Sequence, residues 1–361
     1  MQAITFRGIG AVELADRPEP RLEQPGDALV RVTTAAICGS DLHILEGRDR
    51  GVRPGTILGH EFVGVVEALA GEVPGLAAGD RVLAPFTVSC GECFFCRRGL
   101  TARCVRSLCF GFVGDGGEGL EGAQAELVRV PLAASTLLRV PAARPDGLAV
   151  ADEDVLFLGD VFSTAVACAE GAAFAAGDTV VVIGCGPVGL LCVVAARWLG
   201  AGAVVAVDSV DYRLDKAAAL GATAVDLGGV GGAEALLALL AELTGGRGAD
   251  AALEAVGSKA ALDLALQAVR PGGVVSIAGY HTDAVYPLPI HAAYAKNLTL
   301  RIGRCSARAV MERLLPRVLT ERLPLTAIIS HVLPLREGPR GYELFGRRQD
   351  SAIKVLLKPG E

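Results

Sequence analysis

The chain has 361 residues, a net charge of −6, and a composition 52% hydrophobic and 20% charged; on length alone this suggests roughly two domains. So apolar a chain can bury a large core and is not disordered, and its 46 glycines have no short period, which excludes a collagen-like fibre. A nucleic-acid partner is not expected either, because that affinity rests on clustered Lys and Arg neutralising phosphates.

The first residues, Met1-Gln2-Ala3-Ile4-Thr5-Phe6-Arg7, lack the basic and apolar regions of a signal peptide. The apolar stretches 179–183 and 190–196 are too short to span a bilayer. A cytoplasmic protein with no membrane partner is the expectation. Up to about residue 150 the chain shows short alternating runs such as Ala28-Leu29-Val30-Arg31-Val32, punctuated by Gly and Pro, which predict the strands of a β-rich unit. Two segments in this unit carry metal-binding residue types: Cys38-Gly39-Ser40-Asp41-Leu42-His43 and Gly59-His60-Glu61-Phe62. A catalytic zinc takes three protein ligands and keeps one position open. Cys38 and His60 suit that role, and Glu61 is a carboxylate able to approach the same metal, although a buried structural Cys–His pair has the same sequence appearance.

Ten cysteines in a long chain without an export signal argue against a disulfide scaffold. Four of them, Cys90, Cys93, Cys96 and Cys104, fall within fifteen residues. Four thiolates at that spacing close a tetrahedral zinc site with no open position, which is how structural zinc is held; an iron–sulfur cluster is the other chemistry four cysteines support. Arg97, Arg98 and Arg103 offset part of the sulfur charge. Cys109 stands outside the pattern as a bystander.

From about residue 155 the texture changes. Apolar runs at 179–183, 203–207, 251–254 and 274–278 alternate with helical periodicity at 190–199 and 233–243, which predicts an α/β unit with a doubly wound parallel sheet. The first run leads into Gly184-Cys185-Gly186-Pro187-Val188-Gly189 and a helix starting near Leu190. A strand before the glycines and a helix after them is the context a dinucleotide-binding turn requires. Gly184 permits the turn, Gly186 lets backbone approach a pyrophosphate, and Gly189 allows close helix–strand packing. Asp208 ends the next run, placed to bond the adenosine ribose hydroxyls and to repel a 2′-phosphate; NAD is therefore expected over NADP, with Arg213 as the counterweight. Val256 and Gly257, and Ala278 and Gly279, follow later strands and either approach the nicotinamide half or simply pack the strand ends. The chain ends in a strand-like run, Ala352-Ile353-Lys354-Val355-Leu356-Leu357.

Taken in order, Cys38-Gly-Ser-Asp-x-x-His43, Gly59-His60-Glu61, the four-cysteine lobe at 90–104 and the glycine turn at 184–189 resemble the zinc-dependent medium-chain alcohol dehydrogenases over essentially the whole chain. The resemblance implies a GroES-like catalytic domain over 1–155, a Rossmann NAD-binding domain over 156–295, and a return to the catalytic domain over 296–361. It also implies two zinc ions per chain, NAD, a small alcohol or carbonyl substrate, and a homodimer or homotetramer. Carried over by position, Cys38 and His60 bind the catalytic zinc, Ser40 contacts the substrate oxygen, His43 ends a proton relay, and Asp41 orients His60. Lys354 is expected to reach the pyrophosphate, and Leu45, Phe62, Phe86 and Phe110 to wall the substrate pocket.

The chain departs from the family at the third zinc ligand. Most members have a cysteine where this chain has Asp160, and Cys168 falls eight residues later, in the expected following helix. Asp160 resembles the aspartate ligand of the subgroup similar to glutathione-independent formaldehyde dehydrogenase, and carboxylate oxygen is an ordinary zinc ligand. Reversible oxidation of an alcohol to an aldehyde or ketone is the activity the resemblance implies. A formaldehyde-type dehydrogenase or aldehyde dismutase with tightly held NAD is the alternative within enzymes, and a zinc- and nucleotide-binding sensor the alternative outside them.

Overall fold

The computed structural model describes residues 1–229 and 231–360. Two compact units divide the chain, one formed by Met1–Ser163 with Ser306–Glu361, the other by Thr164–Cys305. The divisions fall later than the 155/156 and 295/296 boundaries expected from sequence. Phe157 and Leu158, in the 3-10 turn Leu156–Gly159, are fully buried, and Phe86 N donates to Gly159 O at 3.1 Å, so this stretch belongs to the first unit. The strand Thr299–Ile302 pairs in the sheet of the second unit.

Among the described residues the first unit is built on a seven-stranded sheet in the order Ile329–Pro334, Lys354–Lys358, Ala28–Ile37, Glu61–Leu69, Arg81–Ala84 and Leu138–Arg139, with Leu127–Val130 also pairing Ala28–Ile37. Ala28–Ile37 runs antiparallel to Glu61–Leu69, with Ala36 opposite Glu61, and antiparallel to Lys354–Lys358, with Val355 opposite Ile37. The alternating run read at 28–32 thus continues to Ile37, and the terminal strand starts two residues later than expected. One core lies around Val30, Val32, Phe62, Val82 and Phe110. Phe62 and Phe110 meet edge to face at 5.2 Å between centroids. With Phe86 8% exposed, these rings fill the interior of the unit, so Phe62 and Phe110 are core residues and not the substrate walls expected from sequence.

The second unit holds, among the described residues, a six-stranded parallel sheet in the order Thr223–Asp226, Ala203–Asp208, Thr179–Ile183, Ala249–Glu254, Val269–Ile277, Thr299–Ile302. Counted along the chain this is 3-2-1-4-5-6, the order of doubly wound dinucleotide-binding sheets, whose ligands bind beyond the strand ends where the order reverses. All five residues of Thr179–Ile183 are buried, as a parallel strand covered on both faces requires. The helix after it runs from Pro187 to Trp198 and starts three residues earlier than expected, because Pro187 has its φ pre-set for a first helical position where no N–H is needed. Lys296 Nζ lies 2.8–3.1 Å from the carbonyls of Leu266, Gln267 and Val269 and so satisfies the acceptors that the helix Lys259–Ala268 leaves open at its end. No helix among the described residues is long and apolar enough to cross a membrane.

Candidate active site and metal centres

In the first unit, Cys38 follows the strand Ala28–Ile37 and stands at the N-cap of the helix Gly39–Leu45. Asp41, at the third helical position, closes a reciprocal cap in which its Oδ2 accepts from Cys38 N at 2.9 Å. His60 precedes the neighbouring strand, so the antiparallel register brings the two residues side by side. A third segment supplies Asp160 directly after the turn Leu156–Gly159. A Cβ at Gly159 would lie 2.3 Å from Ala84 O, so only glycine lets this turn come close enough to the sheet.

One ligand atom each from Cys38, His60, Glu61 and Asp160 falls within a mutual distance of 4.8 Å. Cys38 Sγ is 3.6 Å from Asp160 Oδ2, His60 Nε2 is 3.3 Å from the same oxygen, and Ser40 Oγ is 3.2 Å from His60 Nε2. Zinc bonds of about 2.0–2.3 Å in a tetrahedron separate their ligands by roughly 3.3–3.8 Å, so the Cys–Asp and His–Asp spacings fit that metal. The charges agree. A Cys38 thiolate and the Glu61 and Asp160 carboxylates face one buried cation, Lys354, and the uncompensated charge is that of a divalent ion. Buried charge left unbalanced is too costly to persist. Burial opposes protonation of His60, but Asp41, Asp160 and Cys38 together push its pKa well above the ordinary value. Burial and then Glu61 push the Cys38 thiol up, whereas Asp160, despite burial, is held low by His60 and Lys354.

Lys354 is not where the sequence led us to expect it. It is fully buried in the terminal strand, with Nζ 2.5 Å from Glu61 Oε1 and 6.0 Å from the Phe157 ring centroid, so it does not reach a pyrophosphate. The other Glu61 oxygen, Oε2, is buried with no hydrogen bond. The available signal was a lysine inside an otherwise apolar strand, since a buried ammonium requires an anionic partner. Ser40 and His43 lie one turn apart on the helix Gly39–Leu45, with His43 9% exposed. Burial, then Arg48, lowers the His43 pKa.

The four cysteines of the 90–104 segment also converge within 4.8 Å, with Cys90 Sγ 4.0 Å from Cys96 Sγ. Backbone amides turn toward the sulfurs: Cys90 N and Arg106 N donate to Cys104 Sγ at 3.2 and 3.3 Å, and Cys93 N to Cys90 Sγ at 3.4 Å. Such donors stabilise thiolate. Contacts to Cys96 and Val105 backbone bring the Cys93 thiol down to about 6, while burial takes Cys96 up to about 12. A set of four sulfurs with no carboxylate or imidazole fits a closed structural zinc.

In the second unit, Gly184 has φ +93°, and a Cβ on Gly189 would lie 1.8 Å from Gly184 O, so both positions require glycine. A Cβ on Gly186 would meet nothing within 4 Å, which leaves the loop open to a phosphate at the start of the helix Pro187–Trp198; Pro187 and Val188 form its first turn. Asp208 Oδ2 accepts from Cys185 N at 2.7 Å and Oδ1 from Ser209 N at 2.8 Å, so this carboxylate braces the turn. Arg213 Nε is buried without a hydrogen bond. Val256 packs against the turn, its Cγ2 2.5 Å from where a Gly184 Cβ would stand. Sequence reasoning missed Glu254, fully buried, which accepts from Val256 N and Gly257 N at 2.8 and 2.7 Å and pairs with His281 at 3.1 Å.

Known proteins match this chain in the same two parts. The alcohol dehydrogenase GroES-like domain matches residues 24–142 and the zinc-binding dehydrogenase family matches residues 187–320. An uncharacterized zinc-type alcohol dehydrogenase-like protein of Bacillus subtilis is 35% identical, over 99% of this chain and 100% of its own. The solved alcohol dehydrogenase of Thermus sp. ATN1 is 41% identical with a TM-score of 0.90, covering 99% of both chains. The zinc-dependent alcohol dehydrogenase 2 of Streptococcus pneumonia is 30% identical, with a TM-score of 0.87 over 99% of this chain and 98% of its own. A thiol–imidazole–carboxylate cluster, a four-sulfur lobe and a glycine-turn parallel sheet in one chain, matched end to end by these relatives, place it in the zinc-dependent medium-chain alcohol dehydrogenase family, as an oxidoreductase of small alcohols and carbonyls with a nicotinamide cofactor.

Proposed function

We propose that the protein reversibly oxidises an alcohol to an aldehyde or ketone with NAD as hydride acceptor. In this reading it uses two zinc ions, one held by Cys38, His60 and Asp160 and one by Cys90, Cys93, Cys96 and Cys104. The observation that carries the reading is the convergence of three unlike donors from three separate segments within 4.8 Å, around a charge deficit of a divalent ion. The zinc supplies Lewis acidity that lowers the pKa of an alcohol hydroxyl, and the nicotinamide supplies the hydride chemistry.

The chain's own residues orient the reactants and move the proton. Ser40 Oγ, beside the ligand nitrogen of His60, takes the substrate proton and passes on its own. His43, one helical turn on from Ser40, would receive a proton at the far end of the relay, and its lowered pKa favours release to solvent. Asp41 fixes the His60 ring. Glu61, anchored to Lys354, keeps one oxygen for approach to the metal. Asp208 has lone pairs left for the ribose hydroxyls after bracing Cys185 and Ser209, and its charge opposes a 2′-phosphate. Arg213, with Nε unpaired, pulls the other way, and the balance favours NAD. Val256, at the glycine turn, packs against the cofactor. Assembly as a homodimer or homotetramer is supported by Ile290, Tyr294 and Ile302, 69–80% exposed along one short segment. A reducing cytoplasm suits the four-thiol lobe. The carboxylate ligand Asp160 also favours a second reading, a formaldehyde-type dehydrogenase or dismutase with tightly bound NAD; NAD that survives purification and gel filtration would select it, and protein free of nucleotide would reject it.

Asp160→Asn removes one anionic ligand. Elemental analysis should show zinc falling from two per chain to one, with kcat/KM reduced by at least about 100-fold; a variant keeping both metals and its turnover would remove Asp160 from the ligand set. Asp208→Ala deletes the charged ribose acceptor, worth about 1.5–3 kcal/mol, so the NAD over NADP preference in kcat/KM should drop by roughly 10–100-fold, and an unchanged ratio would contradict the assignment. Lys354→Met strands the Glu61 carboxylate in the interior. Chemical denaturation should show a loss of about 3–5 kcal/mol, partly recovered in Lys354→Met/Glu61→Gln; a loss below about 1 kcal/mol would mean that the pair is not desolvated.

A further inference from the structure

Behind His60 a chain of hydrogen bonds runs away from the metal cluster, through three residues supplied by different parts of the sequence. Asp41 Oδ1 lies 3.3 Å from His60 Nδ1, the ring nitrogen that does not face Asp160. The other oxygen of Asp41 accepts from Cys38 N at 2.9 Å and from Gln124 Nε2 at 3.3 Å. Gln124 Nε2 also donates to Ala36 O at 3.1 Å, and Tyr342 OH donates to Gln124 Oε1 at 2.8 Å. Asp41, Gln124 and Tyr342 are 0–2% exposed.

The chemistry of these groups leaves one arrangement. A backbone carbonyl only accepts, so the amide nitrogen of Gln124 must face Ala36 O. Its second N–H then points to Asp41, and its oxygen is left for a donor, which the Tyr342 hydroxyl provides. Burial, then the nearby Asp41 charge, pushes the Tyr342 pKa well up, so the hydroxyl keeps its proton. Three donors, Cys38 N, Gln124 Nε2 and His60 Nδ1, hold the Asp41 carboxylate in place, and an acceptor facing Nδ1 keeps the N–H of His60 there, leaving the Nε2 lone pair for the metal. The backbone is built to seat this glutamine. Gln124 N donates to Leu58 O, Ala123 N donates to Gly59 O, and a Cβ on Gly59 would come within 2.4 Å of Gln124 Cγ.

We propose that Gln124 and Tyr342 are positioning residues for the catalytic metal: through Asp41 they fix the tautomer and angle of His60, so that the helix Gly338–Gly346, remote in sequence, sets how tightly the zinc is held. The proposal rests on the reading of Cys38, His60 and Asp160 as zinc ligands. It concerns metal retention, which is measured without turnover.

The test compares release of the two zincs into a colorimetric chelator from wild-type and Tyr342→Phe holoprotein. The lobe zinc, held by four cysteines, serves as the control inside the same chain. Loss of an outer hydrogen-bond partner of this kind weakens a metal site about 10–100-fold, so the catalytic zinc should leave at least about 10-fold faster while the lobe zinc leaves at the wild-type rate. In cobalt-substituted protein the visible spectrum of the catalytic site should shift as well. Should Tyr342→Phe not fold, Gln124→Met, which keeps the volume and removes both amide functions, is read in the same assay. Equal release rates in variant and wild type, or equal acceleration of both zincs, overturn the proposal alone. A wild-type protein that retains only the lobe zinc overturns the ligand reading and the proposal with it.

Discussion

The thiol–imidazole–carboxylate cluster of the first unit depends on the pairing of one strand, Ala28–Ile37, with two neighbours. On one side Glu61 lies opposite Ala36, and on the other Val355 lies opposite Ile37, so Cys38, His60, Glu61 and Lys354 all gather at the same end of three adjacent strands. A one-residue slip in either ladder would send the side chains of that strand to the opposite face. It would separate the Glu61–Lys354 pair and strand two charges in the interior. The register is therefore held by the electrostatics of the cluster as well as by the apolar core around Val30, Val32 and Phe62.

Charge balance then constrains the composition of the site. In the proposed reading a lysine and a divalent metal would together neutralise a thiolate and two carboxylates, which would account for a fully buried ammonium so close to the cluster. The same balance would accommodate aspartate as the third ligand of the proposed zinc. Replacing a thiolate by a carboxylate leaves the formal charge unchanged, so the lysine and the rest of the cluster need not change. What would differ is the donor: oxygen gives less electron density than sulfur.

The four-cysteine lobe and the glycine turn follow another logic. Their donors lie within fifteen and six residues of sequence, and their geometry is set by local backbone: amides turned toward sulfur in the lobe, and a left-handed Gly184 with Gly189 pressed against its carbonyl in the turn. Asp208 joins the two kinds of determinant. It ends the adjacent parallel strand, and its carboxylate reaches back to an amide of the turn, so the turn and the end of the neighbouring strand are coupled.

The sequence by itself determined what is local or periodic. The alternation of apolar strands and helices specified a parallel sheet, glycine spacing specified the turn, and cysteine spacing specified the lobe, because each depends on residues a few positions apart. It also named Cys38, His60 and Asp160 as candidate ligands, by residue type and by likeness to a family. Only the tertiary structure brought those three within 4.8 Å of one another, moved Lys354 from an expected phosphate contact into a buried pair with Glu61, and turned Phe62 and Phe110 into core. Gln124, Tyr342 and Glu254 had no sequence signal at all. Their roles rest on which buried polar groups find one another across long separations, and that is decided by strand register and desolvation, which no short window of sequence contains.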